Sequence, residues 1–134
     1  MTFASNGPLN RLLLALPPDN LRRLLHEAEH VSCQRGEVLL DADSSLDYVF
    51  FPNSGVISVV AVYANGDIIE MATIGREGCS GIQAIFEAKS SSVRFLVQIP
   101  GSAAKLSRAA FISAMESMPA FRRLMVAYVQ AFLE

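Results

Sequence analysis

No histidine follows His30, so most of this 134-residue chain cannot assemble a histidine-based metal or acid–base centre. Cysteine is as scarce: Cys33 and Cys79 are the only two, too few for a disulfide scaffold or an iron–sulfur ligand set. Two free, buried thiols in a reducing compartment are expected. The net charge is only -2 and Lys and Arg form no cluster, which argues against a nucleic-acid-binding face. The longest apolar runs, such as Val56 to Val62, fall well short of the roughly 20 residues needed to span a bilayer. The N-terminus also lacks a charged region followed by a signal-like apolar stretch. A cytoplasmic protein without membrane contact is expected.

What the chain does have is apolar content. With 51% hydrophobic residues it can bury one core, and a single domain is the simplest organisation. Residues 1–8 are mostly small and polar and are expected to fray. Leu9, Leu12, Leu13 and Leu16 then recur at helical spacing until Pro17-Pro18 stops the turn. Asp19 or its neighbours open a second helix carrying Leu21, Leu24, Leu25 and Ala28, which makes a short helical hairpin. Its polar face holds Arg22, Arg23, Glu27 and Glu29, with Arg23 and Glu27 spaced to pair.

From Val31 to Leu106 the period changes to that of strands. Val31 to Cys33, Glu37 to Leu40, Asp47 to Phe51, Gly55 to Tyr63, Asp67 to Ile74, Val93 to Ile99 and Ala103 to Leu106 are β-rich runs punctuated by Gly, Pro, Asn and Ser. Asn65-Gly66 predicts a two-residue type I′ hairpin, which sets Tyr63 opposite Ile68 and Val62 opposite Ile69. Many short antiparallel strands point to a sandwich, jelly roll or barrel, and the lack of alternating helices disfavours a doubly wound sheet.

Helix returns after the strands. Ser107 is placed to cap Arg108 to Met115, and Pro119 fits the first turn of a further helix reaching Glu134. Phe121, Leu124, Met125, Tyr128, Val129 and Phe132 form a broad apolar stripe on it. The helix ends on Phe-Leu-Glu without a C-terminal Gly or basic last turn, so the expectation is that more protein follows or a partner helix covers the stripe.

This order of elements, with Gly36-Glu37-Val38-Leu39, Tyr48-Val49-Phe50-Phe51, Ser54-Gly55-Val56-Ile57, Gly66, Gly75-Arg76-Glu77-Gly78, Gly81, Phe86, Leu106-Ser107 and Pro119, resembles the effector domain of the Crp/Fnr transcription regulators. The resemblance runs from about Leu9 to Glu134. It implies a mainly β fold, a double-stranded β-helix or jelly roll like cyclic-nucleotide-binding domains, flanked by the helical hairpin and the long C-terminal helix. It implies a roll domain over 9–118 and the start of a dimerisation helix at 119–134. Phe121, Leu124, Met125 and Tyr128 would then form a homodimer seam, although packing of the same stripe against the roll is an equal alternative for its first two turns. DNA contact is expected only through a domain absent from this chain.

In nucleotide-binding members of that family, a cassette Glu takes the ribose hydroxyl and a cassette Arg takes the cyclic phosphate. Laid on this chain, the cassette glycine is Gly81, the Glu position is Ile82, the Arg position is Ser91 and the following Ser is Ser92. Both charged anchors are missing, and a hydrogen bond to a charged group is worth about 1.5 to 3 kcal/mol. The candidate ligand positions are Gly81, Ile82, Gln83, Ser91, Ser92 and Arg94. Three readings stay open: a cassette that only packs, a less charged effector, or an anion held by serine hydroxyls, backbone amides and a cation such as Arg94 or Lys89. By strand alternation only one of Val93 and Arg94 looks into the roll.

Other chemistry is thin. Gly75-Arg76-Glu77-Gly78 reads as a tight turn before it reads as an anion nest. His26-Glu27-Ala28-Glu29-His30 fits the zincin pattern His-Glu-x-x-His, but its helix is expected to end near His30 and no third ligand is evident. No catalytic residue, metal ligand or cofactor is assigned. A regulatory, non-enzymatic domain with an unidentified small-molecule effector is the leading expectation. The alternatives are a stand-alone interaction module or a jelly-roll metalloenzyme, the latter disfavoured by the missing histidines.

Overall fold

The computed structural model describes residues 9–82 and 92–133. The 1–8 tail, Gln83, Ser91, Lys89 and Glu134 lie outside the described residues. The elements are α1 (Arg11–Leu14), α2 (Pro18–Glu27), β1 (Glu29–Cys33), β2 (Val38–Leu40), β3 (Tyr48–Pro52), β4 (Val56–Val62), β5 (Ile68–Ile74), β6 (Arg94–Ile99), β7 (Gly101–Ser107), α3 (Arg108–Ser117) and α4 (Pro119–Leu133). Every strand expected from the sequence is present, each within about two residues of its expected ends. The strands form two antiparallel sheets, β1-β7-β3 and β2-β6-β4-β5, which face each other as a roll flanked by helices.

The helix ends follow from local chemistry. Asn10 caps α1, its Oδ1 accepting from the N–H groups of Leu12 and Leu13 at 3.0 and 3.2 Å. Pro18 sits at the first position of α2, where its missing N–H costs nothing. Ser107 caps α3 by accepting from Ala110 N–H at 3.1 Å. Arg23 reaches Ser117 Oγ at 3.3 Å instead of Glu27, while Arg22 pairs with Asp19 one turn away.

The hairpin register differs by one residue from the sequence expectation: Val62 faces Ile68 and Ala61 faces Ile69. A type I′ turn needs positive φ at both central residues, but of the two only Gly66 has it, at 91°. Gly66 N–H bonds Tyr63 O at 2.9 Å and Tyr63 N–H bonds Asp67 O at 2.9 Å, which closes a three-residue loop on a type I turn. Asn65 Oδ1 accepts from Asp67 N–H at 3.0 Å, a local bond that holds Asn65 in the turn.

Two apolar clusters share the β1-β7-β3 sheet. On the roll side Phe50 and Ala103 join Cys33, Ile57, Ile74, Phe95 and Val97. On the helix side Val49, Phe51, Ala104 and Leu106 join Leu13, Leu24, Phe111, Phe121 and Met125. The alternation of β3 thus feeds both cores, which is why Val49 to Phe51 reads as an unbroken apolar run. Cys33 and Cys79 are free and buried, as the scarcity of cysteine led one to expect.

Candidate functional site

The segment before the cassette is laid along β3 and pinned at every residue. Ser80 N–H donates to Phe50 O at 2.9 Å, and Ser80 Oγ accepts from Phe50 N–H at 3.2 Å. Gly78 O accepts from Asn10 Nδ2 at 2.8 Å. Cys79 N–H donates to the Tyr128 hydroxyl at 3.2 Å, and that hydroxyl donates in turn to Cys79 O at 3.4 Å. Gly78 is where this last approach is permitted, since a Cβ there would collide with the Tyr128 hydroxyl and ring. Tyr128 therefore joins α4 to the backbone that leads into Gly81.

Gly81 is buried with φ 82°, its backbone against Tyr48 and Val49. Ile82 is half-buried and packs on the helix-side core, so its side chain faces apolar neighbours. Ser92 is exposed. Arg94 stands apart from these: its Nε donates to Asp41 Oδ1 at 2.8 Å, and that bond is the main reason the Asp41 carboxyl lies below its usual range. Val93 packs against the inter-sheet core, so Val93 is the member of the pair that looks into the roll. The structure thus brings Gly81 and Ile82 together, and it commits Arg94 to Asp41 instead of the cassette.

Gly75 to Gly78 is a turn closed by Gly78 N–H on Gly75 O at 3.1 Å, and Arg76 is occupied by Leu9 O at 2.8 Å. α2 ends at Glu27 and β1 begins at Glu29, so His26 and His30 fall on different elements and the zincin spacing loses its helical basis. Among the described residues no group of three His, Cys, Asp or Glu is arranged to hold a metal. Among them, too, no helix is long and apolar enough to cross a membrane.

Of the two readings of the α4 stripe, packing within the same chain accounts for its first two turns. Phe121 and Met125 are 0% exposed within a single chain, packed in the helix-side core, and have no surface to offer a partner. Leu124 is half-buried against the same core and Tyr128 is taken by Cys79. A stripe this broad buries much of its width in the core it shares with α3 and β3. The outward side of α4 is Arg123, Val126, Ala127 and Gln130, with Val126 42% exposed.

Residues that sequence reasoning missed are Asn10 and Asp41, whose partners lie 42 to 68 and 53 positions away, and the Tyr128 contact with Cys79, 49 positions away. Burial pushes the Tyr128 phenol from its ordinary 10.0 up to about 12. A phenol that holds its proton more tightly when folded stabilises fully below pH 10, and that stability is lost as pH rises toward 12. Tyr128→Phe is expected to flatten the fall in melting temperature over that window, and thermal melts from pH 9 to pH 12 would read it; an unchanged slope would mean the hydroxyl is not coupled to folding.

The family model described as cyclic nucleotide-binding domain matches residues 30–118, more than half of the chain. No curated protein matches the sequence. Among solved structures, the catabolite activator protein of Thermus thermophilus superposes with a TM-score of 0.77 at 14% identity, covering 91% of this chain and 57% of that one. The c-di-GMP-responsive global regulator CLP of Xanthomonas campestris gives 0.76 at 11% identity, over 87% of this chain and 59% of that one. The sensor domain of the transcriptional regulator DNR of Pseudomonas aeruginosa gives 0.75 at 14% identity, over 91% and 82%. The chain therefore spans less than two thirds of the length of the first two proteins and most of the third.

Proposed function

Because the chain belongs to the cyclic nucleotide-binding domain family, whose fold is regulatory and not catalytic, we propose that it is the sensory domain of a Crp/Fnr-type transcription regulator that does not hold cyclic AMP through the family's Glu and Arg contacts. What supports this reading most is Ile82, apolar and packed on the helix-side core at the position where the family's Glu would meet a ribose. Arg94 adds to it, since moving that guanidinium onto a phosphate would break its pairing with Asp41. In this reading residues 119–134 begin a homodimerisation helix, with Val126, Ala127 and Gln130 on the outward face as the contact.

The expected outcome is that cyclic AMP or cyclic GMP at millimolar concentration leaves the melting temperature unchanged. A ligand at about 100 times its Kd stabilises the folded state by about 2.7 kcal/mol, so specific binding would be plain in a thermal shift. A clear, saturable rise with either nucleotide would overturn the reading.

A further inference from the structure

We propose that the cavity between α2 and α3 binds a free α-amino acid with an apolar side chain, its carboxylate held by Arg23 and its ammonium by Glu27. The cavity measures about 350 Å³, at the small end of the range of about 300–1,000 Å³ for small-molecule sites. One wall is the face of α2 that carries Arg23, Leu24 and Glu27, and the other is a side of α3 made of Ala109, Ala110, Ser113 and Ala114. These small side chains leave the gap between the helices unfilled. Leu24, Ala114 and Met118 line it as buried residues and give it an apolar floor.

The two charges on the rim select the ligand. Arg23 and Glu27 stand one turn apart, about 6 Å along the helix axis, yet they form no ion pair with each other. Arg23 reaches over to Ser117 Oγ of α3 at 3.3 Å, a neutral partner that occupies one of its five N–H donors. Glu27 has no ion pair among the described residues and is the last residue of α2, where the helix dipole disfavours a carboxylate. Helix stability gives no account of that charge. Glu27 repels a phosphate or a fatty acid, and Arg23 repels a simple amine. A zwitterion satisfies both: the guanidinium fork takes a carboxylate through two parallel bonds, and an ammonium meets Glu27 together with the negative end of α2. The side chain of the amino acid then rests on Leu24, Ala114 and Met118.

This site is separate from the cassette, so the outcome with cyclic nucleotides leaves it untouched. L-leucine is titrated into the 134-residue chain by calorimetry and thermal shift, beside 4-methylpentanoate, which lacks the ammonium, and 3-methylbutylamine, which lacks the carboxylate. Leucine is expected to bind, and each singly charged analogue to bind about tenfold more weakly or worse. Glu27→Gln should cost leucine about tenfold and bring 4-methylpentanoate to within about threefold of it, and Arg23→Gln should do the same for the amine. Ser113→Leu, at an exposed position on the α3 wall, should fill the cavity and abolish binding while its ligand-free melting temperature stays that of the wild type. Ligand-free melts of the other two variants report whether each is folded. Equal binding of leucine and either analogue to the wild type, or wild-type leucine affinity in Ser113→Leu, overturns the proposal. So does no leucine binding at about 10 mM, which would fill about nine-tenths of a site with a Kd of about 1 mM.

Discussion

Asn10→Ala is expected to lower the stability of the domain by about 3 kcal/mol or more, a large part of the 5–15 kcal/mol that holds a typical domain folded. The residue is fully buried and uses its whole side chain. Nδ2 donates to Pro52 O and Gly78 O, both at 2.8 Å, while Oδ1 caps α1. Truncation leaves two buried carbonyls with one partner fewer, at about 1–3 kcal/mol each, and removes a cap worth about 1 kcal/mol. Asn10→Asp separates the two roles. Asp caps helices as well as Asn does, but here it would turn an acceptor oxygen toward two carbonyls. It should therefore be at least as damaging as Ala. Urea unfolding of the three proteins would test this, and an Asp variant as stable as the wild type would show that the cap alone matters.

The second large effect is Phe121→Ala. Its ring is fully buried, edge-on to Phe111 at 5.6 Å and 80°, and tilted against Phe51 at 6.4 Å. Removing a buried Phe costs about 3–5 kcal/mol in transfer and cavity energy. The loss should appear in the unfolding free energy of the monomer and be independent of protein concentration. Val126→Asp, one and a half turns further along α4, should do the opposite. An exposed position changes stability by about 0.5 kcal/mol or less, so the monomer keeps its melting temperature while self-association in sedimentation weakens. If Phe121→Ala costs under about 1 kcal/mol, its burial in the core is wrong; if Val126→Asp leaves a dimer intact, the outward face is not the contact.

Those two residues also mark where the sequence stops being informative. Helical periodicity identifies the stripe Phe121, Leu124, Met125 and Tyr128, but a stripe has no label for what covers it, and the helix-side core of the same chain covers most of it. The strands were legible because apolar runs with Gly, Pro and Asn between them leave little choice of element. The β4–β5 register was not, because Asn-Gly serves both a type I′ turn and a type I turn closed by a left-handed glycine. Asn10 looked like part of a leucine-rich turn, and its two carbonyl partners come from a strand end and a loop far along the chain. The apolar character of Ile82 was legible by residue type alone, and its packing on the helix-side core agrees with it. That Arg94 is engaged by Asp41 was not, since 53 residues separate them.

The two-sided burial of β3 has a mechanical meaning. Phe50 belongs to the roll core, and its chain neighbour Phe51 belongs to the helix core, where it meets Phe121 of α4. Protein interiors are packed as tightly as organic crystals and pass displacement on instead of absorbing it. An object that wedges Phe50 aside thus has one peptide unit of backbone between it and the helix on which Val126 is carried. The partition between the two cores is a single strand thick, and it moves as a wall does when pushed from one side.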